Sequence, residues 1–213
     1  MADEPLSYDP RRFSVDTIGE AAALILTPEG VSTEERWQTE TPYLIDLIGE
    51  HCGVAAGSMV LDFGCGIGRL AKGLIERYGC RVVGVDLSPS MRGLAHAYVN
   101  DPRFFSCAPE ALDWLPVKFD AALAVWVFQH CLDPAADIER VKSALAPGAP
   151  LFAVNSQFRL VPTTAPGDWS DDGVDVFALL DARLARTSSE LLSPNFVPAH
   201  IAAQSVWGVW RRS

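Results

Sequence analysis

The sequence predicts an α/β protein: a doubly wound, mostly parallel sheet with helices on both faces and a helical extension at its N-terminal end. Three observations predict it. Between residues 58 and 154, short runs of strand composition alternate with segments whose apolar residues recur at helical spacing. The most apolar run, residues 121–128, has eight consecutive apolar residues, as a central strand buried on both faces requires. Prolines, glycines and capping residues fall between these runs, where chain reversals need them. With 213 residues the chain is long enough for one domain that buries roughly 70% of its unfolded surface without disulfide or metal support. Residues 58–213 form the expected sheet domain, and residues 1–57 a helical extension or lid.

The elements follow in order. Residues 1–12 are a polar lead. Residues 14–26 place Ile18, Ala22, Ile25 and Leu26 at helical spacing before Thr27, Pro28 and Gly30 stop the helix. Ser32 and Glu35 make a capping box that opens a short helix through Trp37. Thr41 then caps another helix, with Pro42 at its first position, Leu44, Leu47, Ile48 and His51 on one face, and Gly53 and Gly57 at its end. Strands are expected at 59–63, 81–85, 103–106, 119–127 and 149–154. Helices are expected at 68–78, at 89–99 behind a Ser88 cap, and from Asp133 and Pro134 to Leu145. Residues 156–170, rich in Pro, Thr and Gly, read as a loop, and 174–186 as a helix. Pro194 and Pro198 leave 188–204 undecided. Residues 205–211, with Val206, Trp207, Val209 and Trp210, have the composition of an edge strand.

Composition narrows the function. The net charge is −10, with a pI near 4.8 and no basic stripe, which disfavours nucleic acid. No apolar run approaches the about 20 residues of a membrane-spanning helix. The acidic residues 1–9 lack the apolar core of a secretion signal. Five cysteines, Cys52, Cys65, Cys80, Cys107 and Cys131, include no C-x-x-C pair and no zinc spacing, which points to reduced thiols in a cytoplasm and to no metal.

The chemistry concentrates after the first strand. Val60, Leu61, Asp62 and Phe63 run into Gly64, Cys65, Gly66, Ile67 and Gly68, and a helix follows. Alternating glycines permit positive φ and let a ligand approach bare main chain. The helix N-terminus adds free N–H groups and partial positive charge. Asp86 ends the next strand about 20 residues on, where a carboxylate can accept two hydrogen bonds from ribose hydroxyls. The ligand is therefore a nucleoside derivative. The dinucleotide fingerprint G-x-G-x-x-G is not met, because the third glycine comes one residue early, with Arg69 in its place. Asp62 also suits an ammonium better than a pyrophosphate.

Asp62 with Gly64, Gly66 and Gly68, followed by Val83 to Met91 around Asp86, resembles the class I S-adenosylmethionine-dependent methyltransferases. Phe119 and Asp120 leading to His130, and the turn at Pro147 and Gly148, extend the likeness over residues 58–155. The resemblance implies a Rossmann-like, seven-stranded sheet with an antiparallel last strand. It implies that main chain at Gly64, Cys65, Gly66 and Gly68 holds the methionine portion of S-adenosyl-L-methionine, with Asp62 near its amino group. Asp86 would hold the ribose, with Leu87 and Met91 beside the adenine. Ala108, Pro109 and Glu110 would supply adenine contacts, and Ala124 and Val125 the floor under the sulfonium. His130 stands where a general base would sit, and an imidazole of ordinary pKa near 6.5 works at neutral pH. The implied activity is methyl transfer to an O or N atom of a small-molecule acceptor. The alternatives are a protein of this fold that binds the cofactor without transferring methyl, and an NAD-dependent oxidoreductase. Neither an Asn-Pro-Pro-Tyr-like segment nor a Pro-Cys nucleophile follows the fourth strand, which disfavours nucleic-acid methylation.

Overall fold

A computed structural model describes residues 8–164 and 169–212. Its elements are, in chain order, α1 (Ile18–Ile25), α2 (Thr33–Cys52), β1 (Met59–Phe63), α3 (Arg69–Tyr78), β2 (Arg81–Val85), α4 (Pro89–Val99), β3 (Phe104–Cys107), α5 (Pro109–Leu112) and β4 (Ala121–Val125). They continue with α6 (Pro134–Ala144), β5 (Pro150–Ser156), β6 (Val161–Pro162), β7 (Trp169–Ser170), α7 (Val176–Asp181), β8 (Ala185–Leu191), α8 (Ala199–Ala202) and β9 (Ser205–Arg211). Short 3-10 turns occupy Pro10–Phe13 and Phe128–His130.

Seven strands form one sheet in the order β3-β2-β1-β4-β5-β9-β8. β1 to β5 pair in parallel, and β9 runs antiparallel to both of its neighbours, β5 and β8. β8 therefore shares the direction of the parallel strands, and β9 alone is reversed. The apolar 121–128 run supplies β4, the middle strand of the seven. Two cores flank the sheet. Leu44, Ile48 and Leu74 from α2 and α3 pack on Val60, Leu123 and Phe152. Ile138 and Val141 from α6 and Leu180 from α7 pack on Leu61, Ala122 and Trp210. The strand order reverses between β1 and β4, so connections leave in opposite directions there and a crevice opens beyond the strands' C-terminal ends. Among the described residues, no helix is long and apolar enough to cross a membrane.

Several expected elements differ. The two short helices expected within residues 32–52 are one helix, α2, with Pro42 inside it. Ser32 caps it as predicted, its Oγ accepting the Glu35 N–H at 3.1 Å. Thr41 is no cap, since its hydroxyl accepts from Arg69 instead. Burial of Leu44, Ile45 and Ile48 carries the helix through Pro42, against the about 3 kcal/mol an interior proline costs. The helix expected over 174–186 stops at Asp181, and Ala185–Leu191 becomes β8. β8 is polar and almost wholly exposed, so it carries no alternating apolar signal. It forms the sheet's edge, where polar and charged residues keep a strand from pairing further. β9, expected at the edge, lies inside, and Trp207, Val209 and Trp210 are all buried. Within the expected loop 156–170, β6 and β7 pair, and residues 165–168 lie outside the described residues. Of the expected polar lead, residues 1–7 also lie outside them. Tyr8 bridges to Thr163, and the turn Pro10–Phe13 follows.

Candidate functional site

The crevice is a cavity of about 700 Å³ at the C-terminal ends of β1, β2, β4 and β5. The chain leaves β1 in a tight reversal, with the Gly64 and Cys65 N–H groups both donating to the Val85 carbonyl at 2.6 and 3.0 Å. Gly64 has φ +77°, and a Cβ there would stand 2.3 Å from a Val127 methyl. Gly68 has φ +83° at the N-cap of α3, and a Cβ there would stand 2.4 Å from a Val99 methyl. Only glycine meets both demands, so the turn keeps bare main chain against the cavity.

Asp62 lies beneath this turn. It is buried, and its Oδ2 has no hydrogen-bond partner. Burial pushes the carboxyl up to about 7, while the Arg69 guanidinium pulls it down. A buried acceptor without a partner costs stability, and one aimed at a ligand crevice marks a place for a donor. Asp62, Gly64, Gly66 and Arg69 line a small recess that adjoins the main cavity. Ile25 of α1 closes over it, with its methyl 2.8 Å from where a Gly66 Cβ would stand.

Asp86, at the end of β2, accepts the Gly66 N–H at 2.9 Å and the Ser88 N–H at 2.8 Å. Burial raises its pKa, and those two N–H groups oppose the rise. Leu87, Met91, Pro109, Glu110 and Val125 line the cavity. Cys65 reaches only the recess. Gly68, Ala108 and Ala124 form no part of either wall. Ala124 is fully buried in the core with Leu61 and Ala122, because alternate residues of a strand face opposite sides and Val125 takes the cavity side.

His130 lines the cavity in an arrangement that departs from the expected base. Its Nδ1–H donates to the Leu160 carbonyl at 2.6 Å. Gln129 Oε1 accepts the Ser156 N–H at 2.6 Å, which turns the amide nitrogen toward His130 Nε2, 3.2 Å away. Nε2 therefore accepts, and neither ring nitrogen keeps a free lone pair. Burial drives the imidazole pKa down to about 4, so it stays neutral and weakly basic at pH 7. On the same cavity wall, Trp126 leaves β4 with φ +56°, a conformation uncommon for a bulky residue and found at functional sites. Its indole N–H donates to Ser205 Oγ at 3.3 Å.

Sequence reading missed other wall residues. Tyr8, Phe13 and Trp169 come from segments with no motif. Arg36 and Arg69 also face the cavity. Arg36 pairs with the buried Glu40 at 2.5 Å. Arg69 donates to Thr41 Oγ1 at 3.1 Å and lies 5.5 Å from the Trp37 ring centre. Burial lowers its pKa to about 10, against the pull of Glu40 and Asp62. The available signal was a charged side chain directly before Leu70 and Ala71, at the buried start of α3. At the mouth, Glu29 meets His200 at 2.9 Å, joining the α1–α2 connection to α8.

Residues 60–148 match a family described as a methyltransferase domain. A ubiquinone biosynthesis O-methyltransferase of Azoarcus sp. (strain BH72) is 32% identical over 126 residues, 55% of this chain and 53% of that protein. N-demethylindolmycin N-methyltransferase of Streptomyces griseus is 34% identical over 103 residues, 46% of this chain and 44% of that protein. The chain thus spans about half the length of the curated relatives it matches. The structure of magnesium protoporphyrin IX methyltransferase from Synechocystis PCC 6803, with bound S-adenosylhomocysteine, superposes with a TM-score of 0.59 at 20% identity, covering 95% of this chain and 92% of that one. Through this domain match, residues 60–148 are similar to methyltransferase domains, and the reversed last strand and the glycine turn ahead of Asp86 accord with that likeness.

Proposed function

We propose that this protein transfers a methyl group from S-adenosylmethionine to a small-molecule acceptor by in-line displacement. The observation that carries the reading is the orphaned Asp62 oxygen beneath the glycine turn, with Arg69 in the same recess. A carboxylate and a guanidinium on one recess fit the ammonium and carboxylate of an α-amino acid. Asp86 holds the ribose, in exchange for part of its present hydrogen bonding to Gly66. Leu87 and Met91 flank the adenine on one side, with Pro109 and Glu110 on another. The main chain at Gly64, Cys65 and Gly66 forms the cradle, and Val125 its floor.

The bound sulfonium supplies an activated methyl group and a good leaving group. What remains for the chain is alignment and exclusion of water, and orientation of this kind lowers barriers by about 7–11 kcal/mol. Ile25 seals the amino-acid end. Phe13, His130 and Trp169 form a rigid aromatic wall at the other, with ring centres 5.2–6.2 Å apart. The small molecules in the relatives' names, and a net charge of −10, favour a small acceptor over nucleic acid. Five free, buried cysteines favour a reducing cytoplasm as the place of action.

Transfer of labelled methyl from S-adenosylmethionine to extracted small metabolites, together with a titration by S-adenosylhomocysteine, tests the reading. Binding with label transfer is the expected result. Binding without transfer to any acceptor assigns the chain a non-methylating role, and absence of binding overturns the reading.

A further inference from the structure

Resting on that methyl-transfer reading, we infer that the acceptor is an amine carried on an aromatic or otherwise apolar body. Among the described residues, the cavity wall provides no free base at the acceptor end. His130 has its Nδ1–H on the Leu160 carbonyl and its Nε2 occupied by the Gln129 amide. A proton added at Nε2 would face the amide's own N–H groups, because Ser156 fixes the amide's orientation.

The other ionisable groups on the wall are engaged or placed elsewhere. Burial pushes the Tyr8 phenol up to about 12, so it stays protonated. Glu29 accepts from the Thr27 hydroxyl and meets His200 at the mouth. The Cys131 thiol points at the Val127 carbonyl, and burial pushes its pKa well up. Asp133 caps α6 through the Ala136 N–H, and Asp137 pairs with Arg140. Asp86 and Glu110 belong to the ribose and adenine ends. An acceptor in this site must bring its own lone pair, as a neutral amine does and as an ionised phenol, thiol or carboxylic acid does.

Charge decides between these. Glu29, Asp133 and Asp137 line the cavity in addition to the two carboxylates assigned to the nucleoside. Arg36 pairs with Glu40 and Arg140 with Asp113 and Asp137, while Arg69 lies in the recess at the amino-acid end. An anionic acceptor meets an acidic wall, whereas an amine meets no such repulsion, and its ammonium form is drawn in and becomes the nucleophile once it has lost a proton to water. The rings of Phe13 and Trp169, 6.2 Å apart, receive an aromatic body, and their faces also attract an ammonium. In the transfer, the nitrogen lone pair forms the new N–CH3 bond while the S–CH3 bond breaks and its pair returns to sulfur. The product leaves as an N-methylammonium and gives its proton to water.

The test uses methyl-labelled S-adenosylmethionine with sets of aromatic compounds that share one body and carry an amine, a hydroxyl or a carboxyl group. A prior titration with S-adenosylhomocysteine separates the two claims, since absence of binding there overturns the methyl-transfer reading itself. Given binding, label should enter nitrogen, with kcat/KM for the amine about tenfold or more above its hydroxyl twin. The rate should rise with pH to a plateau whose midpoint follows each amine's own pKa. His130→Asn should lower the rate and leave that midpoint in place. The inference is overturned by label entering the hydroxyl twin at an equal or greater rate, or by none of the amines taking label. A midpoint that is the same for every amine and disappears in His130→Asn also overturns it.

Discussion

At Asp62, burial without a hydrogen bond to Oδ2 makes the apo protein hold a costly charge, and the same orphaned oxygen is what a ligand's ammonium would satisfy. Its pKa rises from 3.8 unfolded to about 7 folded, so the folded state binds more protons between those values. Stability is therefore fully present below pH 4 and is lost as pH rises through 7. Asp62→Asn should stabilise the apo protein by about 2–4 kcal/mol at pH 8 and leave it nearly unchanged at pH 4, read from urea midpoints. The same substitution should weaken S-adenosylhomocysteine at pH 8, and the wild-type affinity should rise from pH 6 to pH 8 as Asp62 ionises. An affinity independent of pH in the wild type would contradict the assignment.

His130 has the opposite sign. Its pKa falls from 6.5 to about 4 on folding, so the unfolded chain binds the extra proton, and stability drops as pH falls through that window. His130→Asn should remove about 2–3 kcal/mol of this acid sensitivity, measured as the difference between urea unfolding at pH 7 and pH 4. The position of His130 was legible in the sequence, at the end of the most apolar strand. Its chemistry was not, because Leu160 and Ser156, which lock it, lie about 30 residues further along and carry no motif. The glycine turn and Asp86 were legible because their demands are local: positive φ, and a carboxylate one strand–helix–strand unit away.

At the scale of elements, α2 shows what local signals leave out. Thr41 followed by Pro42 has the look of a helix start, yet packing of Leu44, Ile45 and Ile48 carries one helix through it. Pro42 is exposed, so Pro42→Ala should restore an N–H at no packing loss and stabilise the protein by about 1–3 kcal/mol. A thermal or urea midpoint that falls would show instead that the proline sets a bend the fold needs. β8 escaped reading for the complementary reason. Its residues Arg186, Ser189 and Glu190 face solvent, and a strand without a buried face has no period of two to detect. Phe13 and Trp169 were illegible as site residues because connections bring them to the cavity, and only tertiary structure places connections.

At the scale of the whole molecule, the parallel half of the sheet could be read almost strand by strand, since buried strands and their crossover helices each carry a strong pattern. The N-terminal segment and residues 156–204 hold few such patterns, and they supply the walls that distinguish this cavity: Ile25 over the recess, the Glu29–His200 contact at the mouth, and the aromatic wall around His130. Cofactor binding in this crevice requires a nucleoside held by Asp86 while the amino-acid end reaches Asp62. The most direct test is calorimetric titration of the wild type and Asp86→Ala with S-adenosylhomocysteine, alongside NADH. The account predicts one site per chain for S-adenosylhomocysteine, none for NADH, and a loss of about 1.5–3 kcal/mol in Asp86→Ala, roughly tenfold to a hundredfold in affinity. Binding of NADH in place of S-adenosylhomocysteine, or full affinity in a folded Asp86→Ala protein, would contradict it.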